Sequence, residues 1–211
     1  MTDQASRAPR KQPRQARSRA LVGVLLDAMT RILNRADLDK TTTNAIAEQA
    51  GVSVGSLYQY FSSKQALVAA LIRRQAQGDI DEALSLVQTA PNQPLDVLVR
   101  QVVRHLVDHH RRHLKLYRTL LKLVPSLGQS NFVRGQVRQA RDQFRQLLEA
   151  RQAELRQVDY DVASFVLGVS LEATLHAAIL ERPDLLERPQ FEQALAELCT
   201  RYLLMLPGSP A

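Results

Sequence analysis

The sequence predicts an all-α protein of about nine helices, on three observations. Apolar residues recur at spacings of three and four along most of the chain, and no stretch of useful length alternates with a period of two. Proline and glycine cut this pattern into segments of helix length. Between Thr43 and Lys64 the run TNAIAEQAGVSVGSLYQYFSSK has the spacing of a helix-turn-helix.

Residues 1–13 are polar and basic, end at Pro13 and are expected to form a disordered arm. Leu21, Val24 or Leu25, Ala28, Ile32 and Leu33 recur at helical spacing and predict a first helix from about Arg14 to Arg35. The second and third helices are short. Ile46, Ala50, Val52, Leu57 and Tyr60 or Phe61 supply their inward face, and Ala47 is small where they must approach. Thr43 is the expected N-cap of the second helix and Ser53 that of the third, with Gly51 at a turn that favours a residue tolerating positive φ. The run Ser62-Ser63-Lys64-Gln65 reads as a capping box opening a long fourth helix to about Ala90, closed by Pro91 and Pro94. A fifth and a sixth are expected from Leu95 to Val124 with a bend near His109 to Arg112, then breaks at Pro125 and Gly128. The last three are predicted over Asn131–Gln157, Tyr160–Glu181 and Pro189–Leu206, the final one ended by Pro207-Gly208.

Charge is unevenly placed along the 211 residues. Residues 1–75 hold 12 Lys+Arg against 5 Asp+Glu, whereas residues 76–211 hold 16 of each, so the formal net charge of +7 lies wholly with the helix-turn-helix and its arm. That is the electrostatic footprint of an end that meets phosphates. The lone cysteine, Cys199, allows no internal disulfide and fits a reducing cytoplasm. No apolar run follows the basic N-terminus, which therefore does not read as a secretory signal. Val162–Leu180 is nearly uncharged but carries Glu172 and His176 among small residues, so it reads as a buried helix rather than a membrane span. No phosphate-binding glycine loop or nucleophile elbow is present, and no enzyme is expected.

Over residues 14–75 the chain resembles the TetR (tetracycline repressor) family of bacterial transcription regulators. The elements AGVS, the pair Gly55-Ser56, LYQYF and SSKQAL carry the resemblance in order and spacing; beyond them it is architectural. Membership implies a homodimer with a helix-turn-helix DNA-binding domain, here 14–62, and an effector-binding and dimerisation domain, here 63–211. The partners implied are a double-stranded DNA operator and a small-molecule effector, with no cofactor and no membrane.

Residue roles follow from chemistry and from the resemblance together. Thr43, Asn44, Ser53, Val54, Gly55 and Ser56 are candidates for DNA contact: hydroxyls and amides for bases or phosphate, Val54 for a thymine methyl, Gly55 for close backbone approach. Tyr58, Tyr60 and Lys64 resemble the family's backbone-positioning set, whereas Leu57 and Phe61 are expected in the core. The exposed recognition positions lack arginine, so readout is expected to lean on apolar contacts, water or DNA shape. Phe191, Leu195, Leu198, Cys199 and Tyr202 form one stripe on the ninth helix, and Gly168 and Ala177 are among the small residues of the eighth. The resemblance makes these the dimer contact, with internal core burial as the alternative.

Tyr117, Leu121, Phe144 and Phe165, with Phe132, are candidate effector-pocket walls or plain core. Glu172 and His176 share a helical face and need partners: a ligand, each other, or Arg118 or Lys122. Residues 100–145 hold eleven Lys+Arg against two acids, read as a solvated face rather than an anion site. His105, His109 and His113 are four apart with His110 beside them, but no cysteine or carboxylate cluster joins them in sequence, so no metal is expected. The function expected is a cytoplasmic, ligand-responsive repressor that releases a palindromic operator when a small molecule binds. A sequence-independent architectural DNA binder and a transcriptional activator are the alternatives.

Overall fold

A computed structural model describes residues 12–90 and 92–204. Most of the basic arm, Pro91 and the Pro207-Gly208 stop lie outside the described residues. Among those described, nine α-helices and no strand are present, so the all-α expectation holds. Contacts divide the chain into two compact units, the first ending at Leu71 and the second starting at Ile72.

The first unit is built on α1 (Gln12–Leu33), α2 (Thr43–Ala50) and α3 (Val54–Tyr60). Helix α1 starts ahead of Pro13, because a proline in the first turn loses no hydrogen bond. Leu25, Ala28, Met29 and Leu33 of α1, Ile46 and Ala47 of α2, Leu57 of α3 and Phe61 are buried together with Leu67, Val68 and Leu71.

Three consecutive threonines precede α2, and the structure divides their labour. Thr41 donates to the Asp37 carbonyl at 2.9 Å. Thr42, in extended backbone, is the N-cap: its hydroxyl accepts from the Ala45 amide at 3.1 Å. Thr43, expected to be the cap, is instead the first helical residue. Gly51 closes α2 at φ 68°, as its position predicts. Ser53 caps α3 by accepting from the Ser56 amide at 3.1 Å.

Helix α4 (Lys64–Thr89) starts from Ser63, whose hydroxyl accepts from the Ala66 amide. The capping box from Ser62 to Gln65 therefore does not form, since Gln65 sits one position short of the place that reaches back. In the second unit follow α5 (Leu95–Arg112), α6 (Leu114–Leu123), α7 (Ser130–Ala150), α8 (Tyr160–Glu181) and α9 (Pro189–Leu203). The break between α5 and α6 falls at His113, one residue beyond the expected bend.

Helix α7 ends seven residues before the expected Gln157, for a long-range reason. Arg151 leaves helical geometry, and its guanidinium bonds Glu154 and the Gln93 carbonyl. Glu154 in turn accepts the Leu95 amide at 3.0 Å, placing a carboxylate at the start of α5. Helix α5 packs on α9, and α7 on α8. Around them lie two apolar clusters, one including Val103, Tyr117, Leu175, Ile179 and Leu195, the other Leu98, Leu148, Leu167, Cys199 and Leu203.

Thr42→Ala is expected to lower unfolding stability by about 1 kcal/mol in urea titrations, and Thr43→Ala by clearly less, because only the first removes a cap.

Candidate functional site

The reading element is α3. Its buried side is the single large residue Leu57, and Phe61 follows in the core, as expected. On the other side Tyr58 and Tyr60 are 52 % and 38 % exposed, so core packing of Tyr60 is not observed. The Thr43 and Tyr58 hydroxyls are 3.2 Å apart, and the Ser53 and Ser56 hydroxyls 2.8 Å apart. Asn44 and Gly55 are exposed and Val54 partly so. The structure thus gathers hydroxyls from the starts of α2 and α3 onto one surface, with no cation among the residues of α3.

Lys64 is placed differently from the expectation. Its ammonium donates to the carbonyls of Leu38 and Thr41, both at 3.0 Å. It therefore braces the connection between α1 and α2 and keeps one N–H for an outside acceptor. Sequence spacing could not reveal this, because the acceptors are backbone atoms 23 and 26 residues away.

The second unit encloses a cavity of about 340 Å³. Ile72, Ile80 and Val87 of α4, Leu98 and Val103 of α5, Leu120 and Leu121 of α6, Val137 and Phe144 of α7, and Leu167 and Leu171 of α8 make an apolar wall. Tyr117, Leu121, Phe144, Glu172 and His176 thus all line it. Phe165 does not. It is 57 % exposed, lies beneath the Arg141 guanidinium at 4.9 Å, and points away because α8 presents it opposite Leu167 and Leu171. Phe132 is also outside the cavity, under the Arg73 guanidinium.

The polar lining includes the carboxylates Asp79 and Glu172, the imidazoles His110 and His176, and the cation Arg141. Tyr117 donates a short hydrogen bond to Asp79 and approaches His109 Nε2 at 2.9 Å. Burial pushes the Asp79 carboxyl up to about 6, against the Tyr117 hydrogen bond and the nearby imidazoles. Burial likewise raises Glu172, with Arg141 opposing it. Arg141, rather than Arg118 or Lys122, is the cation near this carboxylate. It crosses α8 over Gly168, where an added Cβ would meet Arg141 Cγ at 2.8 Å. His176 is held down to about 4, mainly by burial and further by His110. Gln136 and Gln143 are among the lining residues, and their side-chain oxygens are buried with no hydrogen-bond partner among the described residues.

Helix α8 has two apolar faces rather than being buried all round. Ala163, Leu167, Leu175 and Ile179 face the core, whereas Val162, Phe165, Val166 and Val169 are exposed, with Leu198 of α9 at 46 %. By length and mean hydropathy α8 is the one described helix able to cross a membrane, but a third of its most apolar window is buried in the protein and Glu172 and His176 interrupt it. Of the residues expected at a dimer contact, Ala177 and Leu198 are exposed. Four are engaged within the protomer. Gly168 lies under Arg141, Leu195 is in the core, Phe191 packs against that core, and Tyr202 packs on the second cluster beneath Arg156 at 4.7 Å. Small and apolar residues occur on both faces of these helices, so a stripe in sequence could not say which side is covered.

A three-helix reader followed by a helical unit with an apolar cavity defines a class, the helix-turn-helix transcription regulators with an all-α second domain. The chain belongs to the TetR family: residues 25–71 match the family described as bacterial regulatory proteins, tetR family, and residues 94–203 the tetracyclin repressor-like C-terminal domain. This is a family of DNA-binding, typically ligand-responsive transcriptional regulators rather than of enzymes. The chain is similar to the HTH-type transcriptional regulator BetI of Escherichia coli, 25 % identical over 167 residues that cover 75 % of this chain and 85 % of BetI. Its fold matches a TetR-family regulator from Mesorhizobium loti with TM-score 0.69 at 20 % identity, covering 90 % of this chain and 99 % of the other. It also matches SmeT, repressor of the Stenotrophomonas maltophilia multidrug efflux pump SmeDEF, with TM-score 0.65 at 22 % identity, covering 89 % and 94 %. SmeT in complex with triclosan matches with TM-score 0.64 at 21 % identity, covering 90 % and 96 %.

The cavity's titrating groups make opposite contributions to stability. The unfolded chain protonates His176 near its ordinary value of 6.5 and the folded chain near 4, so acid favours unfolding across that window. Asp79 is raised from 3.8 to about 6, so the folded chain takes up this proton first and gains stability as pH falls through 6. His176→Gln should therefore gain about 2 kcal/mol relative to the parent between about pH 7 and pH 5 in urea titrations. A pH-independent difference would contradict the assignment.

Proposed function

We propose that this regulator is a repressor that holds a palindromic operator as a homodimer and releases it when a small, mainly apolar molecule enters the second unit's cavity. The observation that carries the reading is the course of α4. Its first turns belong to the reading unit, where Lys64 braces Leu38 and Thr41, and its later turns, from Ile72 to Val87, line the cavity. An effector that displaces the cavity-lining part of an unbroken helix acts on the element that supports the reader. It does so only as far as it binds the two dimer shapes with different affinity.

In this reading Thr43, Ser53, Ser56, Tyr58 and Tyr60 set register on phosphates, Val54 touches a thymine methyl, and Asn44 and Gly55 lie at the same surface. Lys64 acts mainly through its brace, with one N–H left for a phosphate. The scarcity of cations on α3 leaves base discrimination to apolar contact and DNA shape. The effector is apolar over most of its surface and carries a hydrogen-bond donor for Gln136, Gln143 or Glu172. The SmeT–triclosan complex, in a protein of this fold, supports a small-molecule effector. The dimer contact is the exposed face of α8, Val162, Phe165, Val166, Val169 and Ala177, with Leu198. A protein acting on operators works in the cytoplasm.

Binding to DNA from immediately upstream of the protein's own gene, against scrambled DNA at about 50 and 200 mM salt, tests the reading. Specific binding should survive the higher salt and weaken about tenfold in Tyr58→Ala, the scale of a lost hydrogen bond to a charged group. Equal binding to both DNAs, erased by salt, would favour an architectural binder. Phe165→Glu should give a folded monomer by sedimentation, because a charge on the exposed face costs only association. Leu195→Glu should unfold the protomer instead.

A further inference from the structure

The sequence places His105 and His109 four apart on α5 without a carboxylate nearby in the chain. The fold supplies one from α4. Glu82 Oε2 lies 3.0 Å from His105 Nε2 and 3.3 Å from His109 Nδ1, and the three ligand atoms fall within 4.8 Å of one another. We propose that Glu82, His105 and His109 form a binding site for a divalent transition-metal ion of the zinc type.

Three features carry this beyond proximity. The first is dimension. Nitrogen and oxygen ligands held at about 2.0–2.1 Å around a tetrahedral ion sit about 3.3 Å apart, close to the 3.0 and 3.3 Å separations of Glu82 Oε2 from the two imidazole nitrogens. The second is proton accounting. The Tyr117 hydroxyl donates its hydrogen bond to Asp79, so His109 Nε2, 2.9 Å from that hydroxyl and 3.4 Å from Asp79, acts as the donor toward it. In the neutral form that binds a metal the imidazole has one N–H, and Nδ1 then turns its lone pair toward the Glu82 carboxylate oxygen at 3.3 Å. Two lone pairs at that distance repel, and a cation between them turns the contact into two bonds. The third is support. A metal-binding histidine ordinarily donates its other N–H to a carboxylate or similar acceptor, which fixes its tautomer and orientation. Here Asp79 and Tyr117 occupy that place for His109.

The donor set of two imidazoles and one carboxylate selects zinc, cobalt or nickel over calcium or magnesium. Glu82 is half exposed, which leaves an ion a way in and a fourth position for solvent. Asp79 and Tyr117 also line the cavity, so an ion at Glu82 fixes the cavity's most polar corner and ties α4 to α5.

The test uses full-length protein without an affinity tag, stripped with chelator and titrated with cobalt(II) by visible absorption and with zinc(II) by calorimetry. A single ion per chain should bind at micromolar concentration or below, with the absorption of low-coordinate cobalt. Glu82→Gln and His105→Ala should each weaken binding about tenfold or more while circular dichroism stays unchanged, whereas an exposed-surface control, Arg104→Ala, should not. Binding only at millimolar metal, or binding that both site variants leave unaltered, would overturn the proposal and reduce the cluster to a hydrogen-bonded link between α4 and α5.

Discussion

Helix α4 runs without a break from Lys64 to Thr89, and the proposed function depends on that continuity. Its start is held by polar contacts that use backbone acceptors: Ser63 caps it, and Lys64 spans the carbonyls of Leu38 and Thr41. Further along, it contributes Leu67, Val68 and Leu71 to one core, then Ile72 to Val87 to the cavity wall. Each residue of an α-helix is tied into the i, i+4 ladder, and the proposed function relies on that ladder to carry a displacement along α4. Arg73 adds a restraint just inside the second unit, bonding Gln129 at 2.8 Å in the turn where Gly128 takes φ 64°.

The cavity lies along the later turns of this helix. Its walls are leucine, valine and isoleucine, whose contacts are non-directional and repack at modest cost, whereas its few polar groups are costly to leave without partners. Asp79 is the case in point. It is buried on the side of α4, accepts a hydrogen bond from the Tyr117 hydroxyl, and has its carboxyl pushed up by burial. Of the basic residues within 100–145, Arg141 reaches this lining, whereas most of the arginines face solvent.

Much of this was legible from sequence. Short-range rules placed Gly51, Ser53, the span of α8 and the core role of Leu57 and Phe61, because each depends on neighbours a few residues away. What was not legible depends on distant partners. The end of α7 follows from Arg151 and Glu154 reaching Gln93 and Leu95, and two of the Lys64 N–H groups are taken by distant backbone carbonyls. Three successive threonines are equivalent until the backbone selects one. The two faces of α8 are alike in composition, so Phe165 read as a pocket wall where the fold leaves it exposed, and Leu195 of α9 read as interface where the fold buries it in the protomer core. The carboxylates beside the histidine stripe come from another helix, and only the fold brings them together.

The central claim is that cavity volume controls the reading heads, and one distance tests it. Spin labels at Gln59→Cys report the separation of the two α3 helices in the dimer, and buried Cys199 is shielded from labelling. Filling the cavity with Ala83→Trp imitates occupancy without knowledge of the effector. The account predicts a shift in the inter-label distance on the order of a few ångströms, together with weakened operator binding. An unchanged distance in a folded, cavity-filled dimer would contradict it.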